Sequence, residues 1–281
     1  MKTKHLRLMQ RAYVILFFCF MYLPIAYMIV FSFNQSKGYS LFTGFTLKWY
    51  RSLFTNASIL HALWVSVEVA ILSAIIATVL GTAASLGIAS MSRKSRLLVT
   101  NITYIPVVNP EIITGISLML LFVAYQRFAA QSAWLPDNIM GLPTLLIAHI
   151  AFNVPYVIFN VSPKLKQLDI KLYEAALDLG CDPRQAFFKV ILPEISSAIL
   201  SAFLICLTYS IDDFMISYFN CGTVETLPIA IYSMTRKKVS PEIYALSTIM
   251  FVVILSVILV SNAMESRSYR RDQKTLRKEG A

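Results

Sequence analysis

Glu174-Ala175-Ala176-Leu177-Asp178-Leu179-Gly180, in a polar segment that closes with Leu192-Pro193, decides how this chain is read. Leu165, Leu168, Leu172, Ala175, Ala176 and Leu179 fall within one stripe at helical spacing, and Glu174 points to roughly the opposite side. The spacing predicts a short amphipathic helix with an acidic outer face. Gly180 supplies a left-handed stop. Asp182-Pro183 reads as an N-cap followed by proline at the first helical position, with Gln185 completing a box-like cap. The segment is therefore expected to be helix, tight turn, helix.

What flanks it is apolar. Of the 281 residues, 57% are hydrophobic and only 14% charged, and mean hydropathy is +0.65. Soluble chains carry roughly 25% charge, so the composition indicates an integral membrane protein. Apolar runs long enough to cross a ~30 Å hydrocarbon core at ~1.5 Å per residue lie around 12–33, 62–90, 97–124, 142–162, 195–217 and 243–264. The expected fold is all-α, with six transmembrane helices in one domain over 1–281 and the polar loop at 163–194.

Sorting the 25 lysines and arginines by loop sets the orientation. All but seven fall in the N-terminus, the 91–96 turn, the 163–194 loop and the tail from Arg267 to Lys278. That excess places both termini and the 163–194 loop in the cytoplasm. Arg236-Lys237-Lys238 is a local exception on the outer side. The net charge of +10 is spread over membrane-flanking turns, so lipid headgroups rather than nucleic acid account for it. The first apolar run is about 20 residues long and has no small-x-small cleavage site, so it reads as a span rather than a cleaved leader.

Cys19, Cys181, Cys206 and Cys221 make no C-x-x-C site or disulfide framework, and His5, His61 and His149 lie far apart in sequence, so no metal site is expected. No G-x-x-x-x-G-K-[ST] loop occurs. Any ATP and magnesium must then be bound by a partner, and the chain itself is read as a non-enzyme with no catalytic residues and no cofactor.

Carboxylates inside the apolar runs are the remaining signal. Asn109-Pro110 reads as a cap-plus-proline pair that starts a fresh helix within the third span, and irregular backbone at that depth is tolerated only where protein or water covers it. Glu111 follows at once, near the expected midplane, where ionisable groups mark transport routes. Asp212 and Asp213 come 17 uncharged residues after Glu194 and are expected near the outer end of the fifth span. Adjacent helical positions point about 100° apart, so one is expected to face the path while the other caps or pairs. Tyr209, Phe214 and Tyr218 flank the pair, and Trp49 and Tyr50 lie in an outer loop. Carboxylates beside aromatic faces suit an organic cation. Glu68 reads as a carboxylate reaching the outer interface.

The 174–193 segment resembles the EAA loop of bacterial ABC-importer permeases. The runs NPEIITGISL (109–118), SIDDFMISYF (210–219), LPIAIYSM (227–234) and VSPEIYALSTI (239–249) resemble the spermidine/putrescine importers, specifically their second permease subunit. The resemblance covers most of the chain. It implies the type I importer (MetI-like) fold in a bacterial inner membrane, a sister permease, two cytoplasmic ATPase subunits and an extracytoplasmic polyamine-binding protein. It also implies that Glu174, Ala175, Ala176, Gly180, Leu192 and Pro193 couple to the ATPase, and that Trp49, Glu111, Ser210, Asp212 and Asp213 serve polyamine passage. Glu111 stands where the family often has aspartate, and Cys181 and Val190 replace the usual alanine and isoleucine of the loop. Two alternatives stand beside this reading. One is an ABC permease for another small solute such as thiamine, iron or an oxyanion, although acids rather than arginines occupy the spans. The other is a proton-coupled secondary transporter, which has no use for such a loop.

Overall fold

The computed structural model describes residues 2–36, 41–131, 139–237, 241–256 and 258–259. The basic tail from Arg267 to Lys278, Lys238 and the far end of the sixth expected span lie outside the described residues. Helices α1 (Lys2–Phe31), α2 (Lys48–Thr55), α3 (Ala57–Ser90), α4 (Arg93–Val108), α5 (Glu111–Ala129) and α6 (Leu142–Gln167) are followed by α7 (Ile170–Asp178) and α8 (Pro183–Ala186). A π-helical turn, Phe187–Ile191, then leads into α9 (Leu192–Asp212), α10 (Met215–Asn220), α11 (Leu227–Lys237) and α12 (Pro241–Ser256). Among the described residues five helical segments are long and apolar enough to cross a membrane, and α12 is a shorter apolar helix. The architecture is all-helical, as the apolar runs predict.

The chain forms two compact units. One comprises Met1–Leu60 with Ile231–Val257 and the other His61–Ala230 with Ile258–Ala281. In the first, none of the apolar window of α1 is buried, as expected of a helix that is apolar on every side. Below α1, Asn34 organises the chain. Its Oδ1 accepts Thr43 N–H at 2.8 Å, its Nδ2 donates to Leu41 O at 2.9 Å, and its carbonyl accepts the Trp49 indole N–H at 2.7 Å. Glu242 at the start of α12 accepts the Ser52 hydroxyl at 2.7 Å.

The second unit packs α3, α6 and α9 through small residues. Ala74, Ala77, Val157, Val161, Ile195, Ala202 and Cys206 form one buried cluster. The helices approach so closely at Gly81 that a Cβ there would lie 2.5 Å from Val157 Cβ, the small-residue packing typical of membrane helices. A second cluster, Phe122, Ala148, Phe152 and Ile216, joins α5, α6 and α10. Gly115 of α5 sits against α10, where an added Cβ would meet Met215 O at 3.2 Å and Ile216 Cα at 3.4 Å.

The spans differ from their sequence outline at three places. The third span is broken as expected, but one residue further on. Asn109 closes α4 and Pro110 takes the N-cap position of α5 with no side-chain cap, while Asn109 Nδ2 turns to Thr114 Oγ1 at 3.3 Å. The fifth span is also broken, at Asp213, which has extended backbone (ψ 124). The apolar stripe Leu165 to Leu179 is split between two helices. Helix α6 ends at Gln167, Leu168 is its C-cap, and Asp169 starts α7 by accepting Lys171 N–H at 3.0 Å.

Candidate functional site

Three carboxylates of the spans come together where both helix breaks meet. Glu111 is the first residue of α5, and Asp212 and Asp213 are its electrostatic neighbours. The sequence reading separates them in depth, with Glu111 at the middle and the aspartates outside. The structure brings them near one another, because α10 lies along the first turns of α5: Asn220 Nδ2 donates to Gly115 O at 3.2 Å.

The two aspartates have different surroundings. Asp212, the last residue of α9, is exposed. Asp213 is only 7% exposed, and its carboxylate accepts Ile216 N–H at 3.2 Å on Oδ1 and Ser217 N–H at 2.7 Å on Oδ2. It supplies the first turn of α10 with acceptors that a helix start otherwise lacks. His149 Nε2 lies 3.6 Å from Asp213 Oδ2 and 3.0 Å from the Ser217 hydroxyl. The ionic contact is too long for a hydrogen bond, so the histidine bonds the serine. Asp213 therefore builds the break and Asp212 is presented by it. Their divergence comes from the break itself rather than from the turn angle of a continuous helix.

Aromatic rings border the exposed acids. Tyr156 and Tyr209 meet edge to face with centroids 4.9 Å apart, Phe152 lies 5.1 Å from Tyr156, and Tyr156 has Glu111 among its electrostatic neighbours. Sequence reading passed over Tyr156, Asn153 and His149 as a set. Their spacing of four and three puts them on one face of α6, and that polar stripe in an apolar run is a usable signal.

Ser210 takes no part in the exposed cluster. It is buried, accepts Asn153 Nδ2 at 2.8 Å and lies 3.1 Å from the Ser73 hydroxyl. Trp49 belongs to the other unit, where it is buried with Lys48 Nζ 5.5 Å from its ring centroid. Glu68 is half-buried on α3, and the Tyr218 ring lies tilted against Phe214 with centroids 5.3 Å apart.

The 174–193 segment has the helix, turn and helix that its sequence predicts. Gly180 has φ +86, Gly180 N–H donates to Leu177 O at 2.9 Å and Cys181 N–H to Ala176 O at 3.1 Å. This is the paired-bond ending that a left-handed residue permits. Asp182 Oδ1 accepts Gln185 N–H at 2.7 Å, with Pro183 next. The π turn was not foreseen. Pro193 sits inside a continuous helical path, where its ring crowds the carbonyl four residues earlier. The wider turn, closed by Leu192 N–H to Phe187 O, relieves that crowding. On α7, Glu174 and Ala175 are exposed and Ala176 is buried. The apolar stripe is covered only in part: Leu165 and Leu168 pack against the buried cluster and Ala176 is buried, while Leu172 is 47% and Leu179 87% exposed.

Residues 77–271 match the family described as binding-protein-dependent transport system inner membrane component. This chain belongs to that family. It is thus a permease component of a binding-protein-dependent transport system, a multi-pass protein of the inner membrane. It is 37% identical over 239 residues to the putrescine transport system permease protein PotI of Escherichia coli K12, covering 84% of this chain and 83% of the relative. It is 34% identical over 256 residues to the spermidine/putrescine transport system permease protein PotC of the same organism, covering 91% and 93%. Among solved structures it resembles a bacterial ABC transporter involved in import of the polysaccharide alginate, with TM-score 0.72, 18% identity and 95% and 96% coverage. A second likeness is to the MetNI methionine ABC transporter in inward-facing conformations, with TM-score 0.55, 15% identity and 75% and 95% coverage. These likenesses establish the importer permease fold.

Proposed function

We propose that this permease conducts polyamines such as spermidine and putrescine inward, driven by ATPase subunits that bind its 174–193 segment. The observation that carries the reading is the convergence of Glu111 with exposed Asp212 beside Tyr156 and Tyr209. A polyamine ammonium has a pKa near that of lysine, about 10.4, so the substrate arrives as a chain of cations. Two neighbouring carboxylates attract an ammonium group, and the tyrosine faces add cation–π contact. The names of the similar permeases point to the same substrate class. In this reading Ser210 and Trp49 are structural residues, each within its own unit, rather than contacts.

The chain has no nucleotide site of its own under this proposal, and ATP and magnesium belong to its partners. Both termini and the coupling segment face the cytoplasm, a sister permease completes the pathway, and an extracytoplasmic binding protein delivers substrate. Closing of the ATPases shifts the coupling helices, and the permease pair alternates between outward and inward openings. Only contacts that differ between the two states drive such a shift, and the bare Leu172 and Leu179 side chains supply them.

The test is uptake of labelled spermidine and putrescine in cells that depend on this chain. Glu111→Gln and Asp212→Asn are expected to lower uptake about tenfold, the effect of losing a charge contact of ~1–3 kcal/mol, at unchanged protein level. Di- and polyamines should compete with the label and monoamines poorly. Unchanged uptake in both variants, or loss of uptake when the proton gradient is collapsed at constant ATP, refutes the proposal.

A further inference from the structure

A cavity of about 270 Å³ opens among the C-terminal ends of α3 and α6 and the first turns of α4, away from the carboxylate cluster. Its polar lining is basic and hydroxylic: Arg96, Lys166, Ser162 and Thr100 contribute, and no carboxylate lines it. Ile158 and Phe159 are among its apolar walls. Arg96 is held in place by the chain itself, because one terminal nitrogen donates to Ala89 O at 2.8 Å and Met91 O at 3.0 Å. These are carbonyls at the end of α3 that have no helical partner. Held this way, the guanidinium keeps its Nε enclosed and without a hydrogen-bond partner, and the Ser162 hydroxyl is enclosed and unpartnered too. Buried donors of this kind are costly unless an acceptor meets them.

We infer that this cavity binds the phosphate headgroup of an anionic phospholipid. An anion with several oxygens suits this lining, since a guanidinium, two hydroxyls and a lysine ammonium can all donate. The apolar walls fit the first methylenes of an acyl chain, and the volume is too small for a whole lipid. Basic pockets between membrane helices at the level of the headgroups recognise lipid in this manner. The lysines and arginines of the 91–96 turn and the 163–194 loop place this end of the helices at the cytoplasmic leaflet. Only the leaflet, and not the site, rests on the sidedness proposed above. Because Lys166 lies four residues before α7 begins, the bound lipid would brace the root of the coupling segment.

Free phosphate has the same donor-seeking chemistry, so the experiment separates the two sources. The purified transporter assembly is titrated in detergent with dioleoyl phosphatidylglycerol or dioleoyl phosphatidylcholine, and bound lipid is counted by native mass spectrometry. A parallel series contains millimolar inorganic phosphate. Phosphatidylglycerol should bind in preference to phosphatidylcholine and resist displacement by phosphate. Lys166→Gln and Ser162→Val should each weaken phosphatidylglycerol binding several-fold, and together about tenfold or more, with the assembly's melting temperature unchanged. Arg96→Lys, which keeps charge but loses the fork, should weaken binding similarly. Equal phosphatidylglycerol binding by wild type and the Lys166→Gln/Ser162→Val double variant overturns the inference, as does displacement by free phosphate. Polyamine uptake is not the readout, so failure here leaves the substrate reading untouched.

Discussion

Asp182 and Asp213, two of the three aspartates that cap a helix after a break among the described residues, do so by different physics. Asp182 is exposed, precedes a proline and accepts one N–H from Gln185. Asp213 is buried, precedes Phe214 and accepts two, from Ile216 and Ser217, with His149 close by. At the first site water can replace the carboxylate. At the second the carboxylate is enclosed, and its two N–H donors are buried with it. The first turn shapes an exposed loop, and the second holds Asp212 out beside Glu111. A capping aspartate thus marks a local stop in one place and a tertiary device in the other.

Asp213→Ala should separate them most sharply. Each buried N–H left without an acceptor costs ~1–3 kcal/mol, so a large fall in melting temperature and in membrane protein level is expected. Equal loss from Asp213→Ala and Asp182→Ala would erase the distinction. Gly180→Val comes next. A branched residue at φ +86 loses about 1–2 kcal/mol, while no atom within 4 Å would obstruct its Cβ. ATPase association should fall with it, and Gly180→Asn, which tolerates this backbone, should retain most of it. Asp182→Ala should cost about 1 kcal/mol, read as local amide exchange in 170–186 rather than as global unfolding. The smallest stability effect belongs to Leu179→Ser, because that side chain is 87% exposed. Melting of the permease alone should not move, while affinity for the ATPase subunits falls. A drop in melting temperature with unchanged affinity would show that the stripe serves the chain's own fold.

The stop at Gly180 and the start at Asp182-Pro183 were legible because each depends on the backbone preferences and hydrogen-bonding reach of residues within a few positions. The break after Asn109 was legible for the same reason, since proline removes a donor wherever it stands. Its register moved by one because Asn109 found Thr114 instead of the helix start. The stripe from Leu165 to Leu179 was read as one helix because periodicity registers spacing but not the short non-helical joint at Leu168-Asp169.

By itself the sequence determined that this is a helical membrane protein, where its apolar helices run, and that a capped helical turn lies between two of them. Composition, period and local capping act over a few residues and need no partner. Only the tertiary structure decided that the fifth span breaks at Asp213, that Glu111 comes near Asp212, and that Ser210 is buried with Asn153 and Ser73. Those outcomes depend on which acceptor meets which donor across helices distant in sequence, and the cost of leaving a polar group unpaired in an apolar interior selects among them.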